Sequence, residues 1–375
     1  MTSYAFFSKH LRRRGVESLL RQRSGSASTR LLVPAGIVLG AGLIVLSSVS
    51  RHLFFLQLIW AALGIAVVAL FMRVDWHLIL NYRWVIWGLY SVGVILLAVT
   101  FGVAPIIRNT RSWLVFGPLT FQPVELVKIA LILAYARYFS RRHLSVARWG
   151  TVLGSFALFA VPAILVALQP DLGSALVLFG VWFGFLLVSG LPRRRILAAL
   201  VAFLLLGAVG WRFVLRDYQR ERILGVIYPE QNALTVNYSV IQSKIAIGSA
   251  GWWGKGYGQG PQTQLGFLSE PANDFILAAL IEEWGLVAGL AVIGAFIVLL
   301  FRILQVGLVA NQNFERFLCL GVAMVFGFHF IMNAGSAAGI FPVIGVTFPF
   351  LSYGGSSLVT DSFLLAIVNA IARRS

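Results

Sequence analysis

Ten stretches of about 20 predominantly apolar residues recur along the chain, each long enough to cross a hydrocarbon core as a helix. They lie at roughly 31–50, 53–72, 83–102, 122–140, 149–168, 172–190, 195–215, 274–301, 316–334 and 354–372. In lipid every backbone polar group must be satisfied within the protein, which a helix does by itself. The chain therefore reads as an all-α polytopic membrane protein. Its composition, 59% hydrophobic and 11% charged, excludes an ordinary soluble domain. The single cysteine, Cys319, lies inside an apolar run, so no disulfide framework exists. No apolar stretch precedes residue 31, so no cleavable secretory signal is expected.

The basic residues orient the spans. Placing the N-terminus in the cytoplasm puts twenty of the thirty Lys and Arg in cytoplasmic segments. The short outer loops then hold only Arg51, Arg108 and Arg111. This is the positive-inside asymmetry, and ten spans return the C-terminus to the cytoplasm. The formal charge of +17 is accounted for by topology and attraction to anionic membrane lipid, with no nucleic acid partner. The expected organisation is a basic cytoplasmic tail over 1–30 and one membrane domain over 31–375. Its one long loop, 216–273 between the seventh and eighth spans, is extracytoplasmic.

That loop contains NYSVIQSKIAIGSAGWWGKGYGQGPQTQLGFLSEPAND, from Asn237 to Asp274. A loop of this length is functional or disordered. VIQSKIAIG is too apolar and β-branched to stay solvated, so the segment is expected to fold as a cap over a membrane-embedded site.

Ionisable residues at membrane depth are costly and mark functional sites by default. In RSW…FQPVELVK, Pro123 suits a first helical turn, and Glu125 and Lys128 share a face at i, i+3. A structural ion pair and a substrate role are both compatible with that spacing. Arg111, beside Trp113, has the fork to grip a phosphate, or snorkels at the interface. Asp171 in QPDLGS reads first as the N-cap of the sixth span, and Asp274 as the N-cap of the eighth. A helix N-terminus keeps such an aspartate ionised, which suits a base in a dry site. Glu282 and Glu283 lie about two turns deeper, where a serine or backbone partner explains them better than catalysis. The string from Asn333 to Ser357 breaks apolar sequence with prolines and glycines; such backbone is tolerated where it lines a cavity, and its small residues also admit close helix packing.

No Cys/His cluster, P-loop or G-x-S-x-G motif occurs, and the five histidines lack ligand spacing. Carboxylates are the only acids or bases on hand. No cofactor is firmly implied; Asp171, Asp274 and Glu125 are the oxygen ligands available to a divalent cation such as Mg or Mn, though their spacing demands none.

Taken in order, RSW…FQPVELVK, LQPDLGSA, DYQRERI, YPE, IQSKIAIGSAGWWGKGYGQGPQTQL, FLSEPANDF, EEWG and PVIGVTFPFLSYGGSS resemble the SEDS family (shape, elongation, division, sporulation). They span 111–357, and QSKIAIGSAGWWGKG followed by TQL is most like the RodA branch. Ser269 stands where the family usually has proline, and Asn273 where it usually has threonine. The resemblance implies a peptidoglycan glycosyltransferase of the bacterial inner membrane that polymerises lipid II into a growing glycan strand during elongation. It implies a class B penicillin-binding protein as partner, docked on the late helices near 321–339, within the elongation machinery. Asp274 falls on the family's essential aspartate, and Glu125, Lys128 and Asp171 on functionally important charged positions. Gln242, Ser243 and Lys244 join Arg111 as substrate-binding candidates.

The reaction implied is attack of a sugar 4-hydroxyl on a polyprenyl-pyrophosphate donor. A weak alcohol nucleophile needs a positioned base, assigned to Asp274. The leaving pyrophosphate needs cations, offered by Arg111, Lys128 and Lys244. Two rivals are a lipid II transporter, which would need a site reachable from both sides, and a scaffold for a transpeptidase, which would not need Asp274.

Overall fold

The computed structural model describes residues 24–73, 82–107, 110–117, 119–141, 149–213, 215–228 and 237–374. Most of the basic tail (1–23), Arg108, Arg142, Arg148, and Pro229 and Glu230 of YPE lie outside the described residues.

All ten expected spans are helices. They are α1 Ser24–Val49, α2 Arg51–Arg73, α3 Arg83–Val103, α4 Pro123–Arg141, α5 Trp149–Leu168, α6 Leu172–Val188 and α7 Arg193–Phe213. After the long loop come α11 Ile276–Val309, α12 Asn313–Ala337 and α13 Gly355–Ala372. Among the described residues, eight of these are long and apolar enough to cross a membrane. The other two have local reasons for falling short. The 19-residue α4 carries Glu125, Lys128, Arg137 and Arg141, and α6 is only 17 residues long.

The described residues of the loop are largely folded. It holds α8 Asp217–Ile227, α9 Tyr238–Ser249 and the short α10 Pro261–Gln264. Ahead of α4, Leu114–Phe116 and Leu119–Phe121 pair as a small antiparallel hairpin that the apolar pattern did not reveal. Helix α1 also starts at Ser24, earlier than the apolar run alone indicates.

Helix α4 forms the centre of the bundle, packed by α3, α5, α6, α12 and α13 and buried along most of its length. Helix α13 lies against α2, and α11 against α1 and α12. By contrast, α7 buries only Ala199, and its Phe203 ring stacks on Phe179 of α6. The small residues of α12 serve packing inside the chain. A Cβ on Gly321 would sit 2.7 Å from Ile132, and one on Gly335 2.3 Å from Phe341.

The eighth span is not one continuous helix. Gly285 has φ 83° and ψ 173°, which breaks α11 after its first nine residues. The backbone groups freed by the break are taken up by the WWGKG loop. Lys255 and Gly256 N–H donate to the Glu282 and Glu283 carbonyls, both at 2.9 Å. Leu286 and Val287 N–H donate to the Gly251 and Trp252 carbonyls at 3.1 and 3.3 Å. A Cβ at position 285 would lie 2.2 Å from the Trp252 oxygen, so glycine is required by both torsion and space.

Glu282 and Glu283 fix this junction. The Glu282 carboxylate accepts from Gln262 N at 2.8 Å, Thr263 N at 3.0 Å and Thr263 Oγ1 at 2.7 Å. Glu283 accepts from Ser48 Oγ of α1 and, at 2.9 Å, from Gln264 Nε2. Glu282 meets threonine and backbone donors and Glu283 serine and glutamine donors, which offsets part of the cost of burying an acid.

Candidate active site

Four loop and helix-end elements converge on a cavity of about 450 Å³. They are the hairpin leading into α4, the turn before α6, the turn before α11, and the irregular chain between α12 and α13. Glu125, Lys128, Asp171 and Asp274, four of the eight residues expected from sequence, all line it.

The floor is built on α4. Lys128 Nζ lies 2.8 Å from Glu125 Oε2, and both side chains are about 95% buried. Ser357 Oγ donates to Glu125 Oε1 at 3.3 Å, and Lys128 Nζ lies 3.2 Å from His329 Nε2 on α12. The His329 Nδ1 in turn lies 3.1 Å from the Thr347 carbonyl. Asp361 of α13 is also buried. Breaking such a pair from one side would leave an uncompensated buried charge, at about 3–5 kcal/mol.

Asp171 does cap α6, accepting from Ser174 N at 3.0 Å and Ser174 Oγ at 2.8 Å. It also accepts from Gln122 Nε2 at 3.0 Å, which ties the start of α4 to the start of α6. Two residues on, a Cβ at Gly173 would sit 2.2 Å from the Ile344 carbonyl, so the glycine lets the irregular chain close over this turn.

Asp274 is held differently from the expectation. The cap position of α11 is Phe275, so Asp274 lies one residue outside the helix and is not its N-cap. Its backbone is tied into the fold. Asn333 Nδ2 donates to the Asp274 carbonyl at 3.2 Å and to Val346 O at 2.9 Å. Ser352 Oγ donates to Asn273 O at 2.8 Å, and Tyr353 N to Ala272 O at 2.8 Å. The turn bearing Asp274 is therefore docked onto the irregular chain, with its side chain half-buried at the cavity.

Four sequence candidates are not in this cavity. Arg111 is exposed, and its backbone N–H donates to Gln169 O at 3.3 Å. Ser243 is buried and donates to Ala337 O at 2.8 Å, which pins α9 to the end of α12. Gln242 lies on the same helix, away from the cavity lining. Lys244 lines a separate 30 Å³ pocket with Arg222, which also reaches the main cavity. Arg222 donates to Val343 O at 3.0 Å. Among the described residues, no group of three His, Cys, Asp or Glu is placed to hold a metal, so Glu125, Asp171 and Asp274 do not form one shared ligand set.

Gln122, Arg222, His329 and Asn333 carry no local sequence signal for these roles. Their partners are remote along the chain, 201 residues away for Lys128 and His329. Chemically, the cavity is lined by the half-buried carboxylates of Asp171 and Asp274 and by the buried ammonium of Lys128. That is an arrangement for taking a proton while stabilising an anionic leaving group.

Comparison with known proteins gives consistent matches. A family model for FtsW, RodA and SpoVE, described as cell cycle protein, matches residues 32–375. The peptidoglycan glycosyltransferase MrdB of Escherichia coli K12 is 38% identical over 283 residues, 76% of each chain. A probable peptidoglycan glycosyltransferase FtsW of Tolumonas auensis is 34% identical over 85% of this chain and 81% of its own. Among solved structures, a chain from work on polymerization and crosslinking by a peptidoglycan synthase complex superposes with a TM-score of 0.79 at 32% identity. That match covers 92% of this chain and 97% of the other. The rod shape determining protein RodA of Thermus thermophilus gives a TM-score of 0.69 at 28% identity, over 92% and 95%.

Proposed function

The chain belongs to the FtsW/RodA/SpoVE family and is a peptidoglycan glycosyltransferase, and from that premise we propose that it polymerises lipid II in the cavity between α4, α6, α11 and α12. The observation that carries the assignment is the placement of Asp274 and the Glu125–Lys128 pair on one cavity.

In this reading the acceptor 4-hydroxyl attacks the anomeric carbon of the donor sugar. As the new C–O bond forms, the bond from that carbon to the pyrophosphate oxygen breaks. Asp274 takes the hydroxyl proton, and Lys128 stabilises the charge developing on the pyrophosphate. Glu125 keeps the ammonium in place, and Asp171 holds the α4 and α6 ends together around the substrate.

The same proposal sets the membrane frame. The protein lies in the bacterial inner membrane with both termini cytoplasmic, and 216–273 forms the extracytoplasmic cap. It works with a class B penicillin-binding protein in wall elongation, a reading supported by the structural relative from a peptidoglycan synthase complex. The direct test is reconstitution: purified protein given lipid II is expected to build glycan chains resolved on a gel. Folded protein that yields none, with and without the partner, would contradict the proposal.

A further inference from the structure

We propose that His329 is a positioning residue that fixes the Lys128 ammonium toward the cavity; this deepens the proposed function and rests on it for the role of Lys128. Lysine only donates, with three N–H groups. One lies against Glu125 Oε2 at 2.8 Å and one against His329 Nε2 at 3.2 Å. A third is left for the cavity that Lys128 lines. The imidazole accepts at Nε2 because its Nδ1–H is donated to the Thr347 carbonyl at 3.1 Å. The ring is therefore held from both ends, between a helix-borne ammonium and the irregular chain that also lines the cavity.

The choice of a histidine has a physical reason. Glu125 already meets the ammonium. A second carboxylate in place of His329 would add negative charge where an anionic leaving group must arrive. A neutral imidazole orients the donor without doing so. It is also nearly fully buried, at 3% exposure, so water does not replace it. Because Thr347 shares the chain that holds Asp274 through Val346 and Asn333, His329 also keeps the ammonium in register with the base.

Two variants and one spectrum test this. His329→Gln keeps both contacts, since its amide oxygen can accept from Lys128 and its NH₂ can donate to Thr347. His329→Met keeps the bulk and loses both. With lipid II as substrate, His329→Met is expected to lower kcat about tenfold to a hundredfold, the cost of a misplaced group, with KM little changed. His329→Gln is expected to recover most of that loss at matched thermal stability. Equal defects in two folded variants would overturn the proposal, as would full activity in His329→Met. Should His329→Met fail to fold, ¹⁵N NMR of histidine-labelled full-length protein in nanodiscs decides, with the resonance assigned by its loss in His329→Gln. A neutral Nδ1–H tautomer whose Nε2 signal moves in Lys128→Met supports the contact; an Nε2–H tautomer refutes it. The spectrum needs no turnover, so a wild-type protein inactive on lipid II would overturn the proposed function and leave this inference to be decided by the tautomer.

Discussion

The Asn333 side-chain amide holds Asp274 by its backbone, donating to the Asp274 carbonyl at 3.2 Å and to the Val346 carbonyl at 2.9 Å. One buried amide thus ties the turn carrying the proposed base to the irregular chain that also lines the cavity. Replacing Asn333 with Leu removes the donors and leaves buried carbonyls unpaired, at about 1–3 kcal/mol. The expected outcome is a lower melting temperature and a rate reduced by up to about a hundredfold. Rates and melting curves of the purified variant check it; unchanged turnover would show that Asp274 is placed by other contacts.

The Glu125–Lys128 pair separates fold from chemistry. Glu125→Lys alone puts two cations at the cavity floor and should yield little folded protein, given about 3–5 kcal/mol for a broken buried pair. The double exchange Glu125→Lys with Lys128→Glu restores the pair and should restore folding. It moves a carboxylate to the place where the pyrophosphate must be met, so polymerisation should remain absent. Normal activity in the double variant would remove both residues from the mechanism.

Gly285 offers a control inside one helix. Gly285→Ala meets both a positive φ and the Trp252 carbonyl, and should cost at least about 1–3 kcal/mol of backbone strain. Gly294→Ala, further along α11, meets nothing within 4 Å and should leave stability unchanged. Thermal melts of the two variants side by side test whether the break in α11 anchors the WWGKG loop.

A reporter fused near Gly256 should score extracytoplasmic and one at Arg194 cytoplasmic. The distribution of Lys and Arg across the loops is the basis. A cytoplasmic score at Gly256 would invert the orientation and move the cavity to the wrong face for a lipid II polymerase.

The spans were legible because a bilayer-length apolar run leaves one option, a helix. Asp171 and the Glu125–Lys128 pair were legible because their partners are local: Ser174 and each other at i, i+3. The break at Gly285 was hidden, because EEWG sits within apolar sequence and the loop that completes it lies some thirty residues upstream. Asp274 sits one residue outside the helix for which it looked like the cap. His329 and Asn333 carried no local signal, since each gains its meaning from residues that only the fold brings near. Lys244 and Ser243 shared a string with the loop that looked like the site, yet α9 turns them toward α12 and a side pocket.

The central claim is that Asp274 is the base, and Asp274→Asn tests it most directly. The exchange is nearly isosteric, and the Asn333 bond to the Asp274 carbonyl does not depend on the side chain, so that contact should survive it. The measurement is the polymerisation rate on lipid II, paired with a melting curve and a lipid II binding assay on the same preparation. The expected result is wild-type stability and binding, with the rate lowered about a hundredfold to ten-thousandfold. Glycan chains made at the wild-type rate by folded Asp274→Asn would contradict the account.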